Sequence, residues 1–128
     1  MGKLPEIVLK AWEARKDPIV FSTADKDGIP NSIYATCTWI YDPGTIIIAD
    51  NFFDKTRKNI SSGSKGAILF ITEEKKSYQI KGSLEYYESG EIFDYMKKMN
   101  PARLPGRAVA VFKAEEVFAG SEKLKFDN

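Results

Sequence analysis

Residues 31–49, NSIYATCTWIYDPGTIIIA, decide the fold class of this 128-residue chain. Over residues 31–41 apolar and polar side chains alternate, which is typical of a half-buried strand. One expected face carries Ile33, Ala35, Cys37 and Trp39, and the other carries Ser32, Tyr34, Thr36 and Thr38. Asp42-Pro43-Gly44 is typical of a turn, and the apolar run 45–49 predicts a strand buried on both faces. The stretch therefore predicts an antiparallel hairpin.

Further β-rich runs lie on both sides of this hairpin, at residues 18–24, 67–71, 78–87 and 107–118. Gly82 inside the run 78–87 predicts a bulge or a close approach of two backbones. Six strands joined by hairpins and short helices indicate a mainly β domain, an antiparallel barrel that is closed or nearly closed.

Three short helices are expected at the joints. Apolar residues at a spacing of three and four predict the first helix within residues 1–17, ending where Pro18 disfavours a helical residue before it. A second helix is expected over residues 55–62 with Asp54 as its N-cap, and a third over residues 90–99 with Ser89 as its cap. The whole chain, 1–128, is predicted to be one domain with a frayed tail from Gly120 onward.

Composition excludes several classes of chemistry. The chain has no His and a single cysteine, Cys37. The chain therefore lacks the side chains for histidine-based catalysis, for histidine-ligated metals and for zinc-thiolate clusters. We expect no metal site. With 19 basic and 18 acidic residues the net charge is +1, which argues against a nucleic-acid partner. The apolar run 45–49 is too short to cross a membrane, and no secretory leader is evident, so a cytoplasmic location is expected.

The start of the second predicted helix is the best candidate for a binding site. Exposed N–H groups at a helix start bind anions, and Lys55, Thr56 and Arg57 add two positive charges and a hydroxyl. This indicates a phosphate site, although Asp54 would repel an anion. The alternative, a capped surface helix with solvated basic residues, is equally compatible with the pattern. The polar stripe that includes Tyr34 either faces solvent or lies along a planar heteroaromatic ligand.

Other features have plainer interpretations. Cys37 is expected to be an unreactive core thiol, and Phe52-Phe53 to pack in the core or at an interface rather than over a ligand. The basic segment 103–107 is expected to be a turn rather than a second anion contact.

Three motifs in a fixed order carry a family resemblance. They are Gly28-Ile29-Pro30 before a long strand, Lys55-Thr56 followed by Asn59-Ile60, and Ile80-Lys81-Gly82-Ser83 in a later strand. Over roughly residues 15–118 the chain resembles the small FMN-binding split-barrel proteins related to pyridoxamine 5'-phosphate oxidase. The resemblance implies a six-stranded antiparallel split barrel that forms a homodimer with FMN at the subunit interface.

The resemblance also implies the residues that bind FMN. Its phosphate would contact Lys55 and Thr56, with Arg57 and Asn59 as nearby candidates. The edge of its ring would contact the second strand, largely through backbone atoms, at Ile33, Tyr34, Ala35 and Thr36. Asp50 and Asn51 would reach the pyrimidine edge or the ribityl chain, and no residue is assigned as catalytic.

The function implied is that of an FMN-dependent oxidoreductase or electron-transfer protein with a small-molecule or protein electron donor. The true oxidase of the family holds its substrate with an Arg and a His, and the absence of His argues against that activity here. It also argues against haem bound through histidine. A non-catalytic flavin sensor or storage protein, or a deazaflavin-dependent reductase on the same fold, remain alternatives.

Overall fold

The computed structural model describes residues 2–126. Its helices are α1 (Glu6–Glu13), α2 (Lys55–Ser61) and α3 (Glu91–Met99). Its strands are β1 (Arg15–Ala24), β2 (Pro30–Ala35), β3 (Thr38–Asp42), β4 (Thr45–Asp50), β5 (Gly66–Thr72), β6 (Ser77–Tyr87), β7 (Ala108–Ala119) and β8 (Glu122–Lys123). None of the helices in the described part of the chain is long and apolar enough to span a membrane.

The strands form one antiparallel sheet in the order β2-β1-β5-β6-β7-β4-β3, with the short β8 beside β7. The two strands at the ends of this path, β2 and β3, are joined by only Thr36 and Cys37. The two ends of the sheet therefore lie next to each other, and the sheet is rolled into a split barrel. The predicted mainly β fold is confirmed, but the described residues form eight strands rather than six.

Two apolar clusters hold the barrel together. The larger one fills the interior and includes the fully buried Phe21, Ile46, Ile80 and Phe112. The smaller one lies on the other face of β4 and β7, where Met96 of α3 covers it. Because both faces are covered, every residue of β4 is buried, as the apolar run predicted. Burial of each large apolar side chain contributes roughly 1.5–3 kcal/mol.

The prediction of one strand over residues 31–41 was wrong. Strand β2 ends at Ala35, and a separate strand, β3, begins at Thr38 at the other end of the sheet. As a result, Ile33 and Ala35 pack against the interior cluster, whereas Cys37 and Trp39 pack against the cluster under α3. Alternation in the sequence could not show this break, because both segments carry the same period.

Several predicted boundaries also need correction. Helix α1 stops at Glu13, short of Pro18, because Arg15 already pairs with Thr72 of β5. Gly90 rather than Ser89 is the N-cap of α3, and its φ of 106° favours glycine. Asp54 precedes α2 as predicted, but its side chain makes no capping hydrogen bond.

The segment after Gly120 is more ordered than the predicted frayed tail. β8 pairs with β7, and the N–H of Leu124 donates to the carbonyl of Val117 at 2.9 Å. The predicted tail also includes residues 127 and 128, which lie outside the described residues.

Gly82 is the predicted close-approach point. The register of β6 against β7 shifts between Lys81 and Gly82, which marks a bulge. A Cβ at this position would collide with the backbone of Lys113 on β7, so only glycine permits the two strands to approach.

Candidate functional site

A cleft of about 490 Å³ opens along β2, between this strand, the loop after β4 and the start of α2. Five consecutive residues, 33–37, line it. The first three of them belong to β2, where neighbouring side chains point to opposite faces, so the cleft borders the edge of the strand, and the other two form the link to β3. β2 pairs with β1 alone, and its other edge therefore has no strand partner within residues 2–126.

Seven of the ten predicted site residues line this cleft. They are Ile33, Tyr34, Ala35, Thr36, Asn51, Lys55 and Thr56. The structure thus brings the middle of the second strand together with the start of α2, two segments about 20 residues apart in the sequence. Their contacts with a ligand remain predictions.

Three predicted residues lie elsewhere. Asp50 is fully buried behind the loop, and Asn59 is buried with its Nδ2 donating to Thr23 Oγ1 of β1 at 3.0 Å. Arg57 lies against a different cavity, because a step of two residues along a helix turns a side chain to the opposite side from Lys55. None of the three borders the cleft.

The cationic end of the cleft is formed by α2 and the start of β2. Thr56 is buried, and its Oγ1 accepts a hydrogen bond from Asn31 Nδ2 at 3.3 Å. The Thr56 hydroxyl proton is still available, since that oxygen acts there as the acceptor. Lys55 is exposed at the rim. Asp54 also lines this end, and its carboxylate lies 3.7 Å from Lys58 Nζ, which partly offsets its charge.

Asn51 is held by a buried amide pair. Asn51 and Asn100 exchange two hydrogen bonds, of 2.9 and 3.3 Å, and Asn51 Oδ1 also accepts from the N–H of Gly106 at 2.8 Å. These bonds tie the loop after β4 to the segment after α3 and bring Leu104 to the cleft wall. Of the polar groups of the Asn51 side chain, one N–H remains available for a ligand.

The remaining lining residues were not predicted as ligand contacts. They are Asn31, Cys37, Ala49, Phe52, Phe53, Asp54 and Leu104. Cys37 is half-buried: it packs against the cluster under α3 and also borders the cleft, so the predicted core position is only partly confirmed, and its lack of reactivity stays a prediction. Phe52 is 76% exposed at the mouth, whereas Phe53 packs against Phe21 with the ring centroids 6.1 Å apart. No sequence signal indicates Leu104, which enters through the Asn51–Asn100 contact.

A network of charges lies behind the loop. The buried Asp50 carboxylate accepts hydrogen bonds from the Tyr86 hydroxyl, from the N–H of Phe53 at 2.9 Å and from Arg107 Nη2 at 2.9 Å. Burial, followed by the hydrogen bond to Asp50, raises the pKa of Tyr86. Arg107 therefore has a partner, and the expectation of a plain turn at residues 103–107 missed this ion pair.

The described residues contain no group of three or more His, Cys, Asp and Glu side chains that could hold a metal ion. The donors at the cleft are instead hydroxyl, amide, ammonium and backbone groups, which suit an organic anion.

Comparison with known proteins adds a family and several relatives. The sequence model of one family, described as pyridoxamine 5'-phosphate oxidase, matches residues 7–119. An uncharacterized protein of Methanocaldococcus jannaschii is 35% identical over 122 residues, which are 91% of this chain and 80% of that protein.

Solved structures share the fold. HupZ of Group A Streptococcus matches with a TM-score of 0.83 and 23% identity over 95% of this chain and 98% of its own. An FMN-binding protein from Syntrophomonas wolfei matches with a TM-score of 0.76 and 25% identity over 91% of this chain and 84% of its own. At 13% and 15% identity, an F420 reductase and the haem storage protein HutZ of Vibrio cholerae have TM-scores of 0.68 and 0.62.

Proposed function

Because this chain belongs to the pyridoxamine 5'-phosphate oxidase family, we propose that it binds FMN in the cleft along β2 and works as an oxidoreductase or electron-transfer protein. The observation that carries the proposal is the cleft itself. Within the described residues, it joins a strand edge that has no strand partner to a cationic helix start, and these two features suit a flat ring with a phosphate-bearing chain.

The strand edge suits the ring. Backbone N–H and C=O groups on the free side of β2 match the donors and acceptors along one edge of a flavin. Ile33, Ala35 and Leu104 offer apolar surface to the faces of such a ring. Asn51, with one free N–H in a fixed position, is placed to donate to the pyrimidine edge or the ribityl chain.

The other end suits the phosphate. Lys55 supplies a positive charge, Thr56 a hydroxyl donor and the first residues of α2 their backbone N–H groups. The Thr56 hydroxyl is oriented by Asn31, which leaves its proton for an anion. Asp50 and Asn59, although predicted as contacts, are assigned a supporting role, because both are buried and bonded within the fold.

FMN carries electrons in its own ring, so a chain without His can support this chemistry. The residues of this chain bind and orient the cofactor and exclude water from one side of it. No side chain at the cleft is assigned a catalytic step.

We propose that a second copy of the chain closes the site. Tyr34 and Phe52 are each 76% exposed at the cleft mouth. Two aromatic side chains beside an open apolar cleft form the kind of surface that a subunit interface buries. A monomer in solution at micromolar concentration, with or without FMN, would contradict this part of the proposal.

The test is the ultraviolet-visible spectrum of the purified protein, before and after excess FMN is added and unbound ligand is removed by filtration. Retained flavin bands near ~370 and ~450 nm that dithionite bleaches are the expected result. A band near ~420 nm in the protein as purified would instead identify a deazaflavin reductase. Retained FMN that no pyridine nucleotide or other donor reduces would favour a sensor or storage role. A colourless protein that retains no flavin would contradict the proposal.

A further inference from the structure

We propose that a second cavity, on the side of α2 away from the cleft, binds a phosphate group distinct from that of FMN and carried by a dinucleotide. We call it the cationic cavity. It measures about 530 Å³, and Arg57, Lys58, Ser61, Ser62 and Arg107 line it, together with Phe53 and Asp54, which it shares with the cleft. The dinucleotide part of this inference rests on the proposed function, whereas anion binding in the cavity does not.

The geometry of α2 groups the polar side chains of the cavity. Arg57 and Ser61 are four residues apart, as are Lys58 and Ser62, and residues at this spacing are neighbours on one side of a helix. Arg57 and Lys58 therefore each have a serine one turn further along the chain. Lys55 points to the opposite side, into the cleft, so the two cavities do not share their cations.

Arg57 is the cation of this cavity without a carboxylate partner. Lys58 lies 3.7 Å from Asp54, and Arg107 lies 2.9 Å from the buried Asp50. Within residues 2–126, Arg57 makes no ion pair, and its guanidinium carbon stands 5.9 Å from the centroid of the Tyr86 ring.

Arg107 also has spare hydrogen-bonding capacity. Within residues 2–126 it donates only through Nη2, to Asp50 and to the carbonyl of Phe53. Arg57 and the rest of the Arg107 fork thus offer planar N–H donors of the type that binds phosphate in a bidentate manner.

The shared walls connect the two cavities. The two cavities share Phe53 and Asp54 as lining residues, so a phosphate at Arg57 would lie beside a ligand that is bound in the cleft. A cavity of this size has room for a nucleoside phosphate. The chemistry fits either the dinucleotide form of the flavin itself or a separate dinucleotide that donates electrons to bound FMN.

The first experiment measures binding of inorganic pyrophosphate to the purified protein by calorimetry, for the parent chain and for Arg57→Gln. We expect the substitution to weaken binding about tenfold, the effect of one charge-assisted hydrogen bond, and Arg57→Lys to restore part of it. Lys10→Gln, which removes the same charge from an exposed position on α1, should leave the affinity unchanged. Equal losses in Arg57→Gln and Lys10→Gln, or no binding to the parent, would overturn the proposal.

The second experiment distinguishes the two sources. If the flavin is the dinucleotide, FAD will bind the parent more tightly than FMN, and Arg57→Gln will remove that difference. If the dinucleotide is a separate donor, FMN-loaded protein will bind ADP, and Arg57→Gln will weaken ADP about tenfold. In both cases the affinity for FMN itself should not change in Arg57→Gln.

The failures of the two proposals can be told apart. FMN affinity that falls as much as pyrophosphate affinity in Arg57→Gln would mean that the cavity is only the FMN phosphate site, which overturns this inference and leaves the proposed function standing. Failure of FMN to bind, with Arg57-dependent pyrophosphate binding retained, would overturn the proposed function and leave an anion site.

Discussion

The carboxylate of Asp50, fully buried, accepts a hydrogen bond of 2.9 Å from Arg107 Nη2, across 57 residues of chain. The same nitrogen donates to the carbonyl of Phe53 at 2.9 Å, and Asp50 accepts from the N–H of Phe53. This ion pair therefore holds the loop that forms one wall of the cleft and one wall of the cationic cavity.

Arg107→Met should destabilise the fold by about 2 kcal/mol. It leaves the buried Asp50 charge without its counter-ion, but Arg107 is 47% exposed, so water replaces part of the interaction. Urea unfolding measures the loss. Adding Asp50→Asn to Arg107→Met should recover part of it, because the unpaired charge is then absent. Arg103→Met, an exposed arginine in the same segment, is the control, and an equal loss there would refute this role for the ion pair.

Tyr86 should be resistant to ionisation. Its pKa is raised by burial and by the hydrogen bond to Asp50, so the folded protein keeps the neutral phenol at a pH where the unfolded chain loses the proton. The stabilisation from this group is complete below the usual pKa of 10.0 and is lost as the pH rises above it. The unfolding free energy should thus fall more steeply above pH 10 in the parent than in Tyr86→Phe. Tyr34→Phe, which removes an exposed hydroxyl, should match the parent, and identical slopes for all three proteins would contradict the argument.

Gly82→Ala should be among the most damaging single substitutions in the chain. The added Cβ meets the backbone of Lys113 on β7, which cannot move without breaking the ladder. We expect a loss above about 3 kcal/mol, or no folded protein. Gly28→Ala has open space around it but a φ of +82°, and should cost only about 1 kcal/mol. Thermal unfolding of the pair checks this, and similar melting temperatures would disprove the close approach.

Lys55→Ala should weaken FMN about tenfold and leave riboflavin almost unaffected, because only FMN carries the phosphate. Thr56→Ala should act in the same direction, and the double variant should lose more than either. Lys10→Ala, which removes the same charge from an exposed position on α1, is the control and should keep FMN binding. Fluorescence quenching of the two flavins gives both constants. Equal losses for FMN and riboflavin would rule out a phosphate site at Lys55 and Thr56.

Cys37 offers a direct probe of the cleft, since it is the single thiol of the chain and lies half-buried at the wall. A maleimide should label it in the free protein, and FMN should slow the labelling. Riboflavin should protect it as well, because protection comes from the ring. Cys37→Ser should bind FMN with unchanged affinity. If neither flavin changes the rate of labelling, the flavin ring does not bind beside Cys37.

Local patterns in the sequence accounted for most single elements. The apolar run 45–49 is a strand buried on both faces, as its lack of alternation predicted. Gly82 could be predicted as a bulge because the absence of a side chain is visible in the sequence, and that absence permits the close contact between β6 and β7. The break after Ala35 escaped prediction, since a strand that changes partners keeps the same alternation of residue types.

The candidate site divides in the same way. Lys55 and Thr56 stood out because a helix start, a charge and a hydroxyl are adjacent in the chain. Asp50 and Asn59 are polar residues beside that motif, and only their burial showed that the fold itself uses their hydrogen bonds. Leu104 and Arg107 come from a segment about 50 residues away, and no local pattern connects them to the loop after β4.

The sequence by itself determined the mainly β fold, the family and the residues at the start of α2, because periodicity and short motifs depend on neighbours along the chain. The tertiary structure alone decided that β2, within residues 2–126, has an edge without a strand partner facing the cleft and that Lys55 and Arg57 line different cavities. It also decided that Asp50 pairs with Arg107. The physical reason is that strand pairing, burial and charge pairing depend on distances through space. Residues far apart in the sequence come close together only when the sheet has formed.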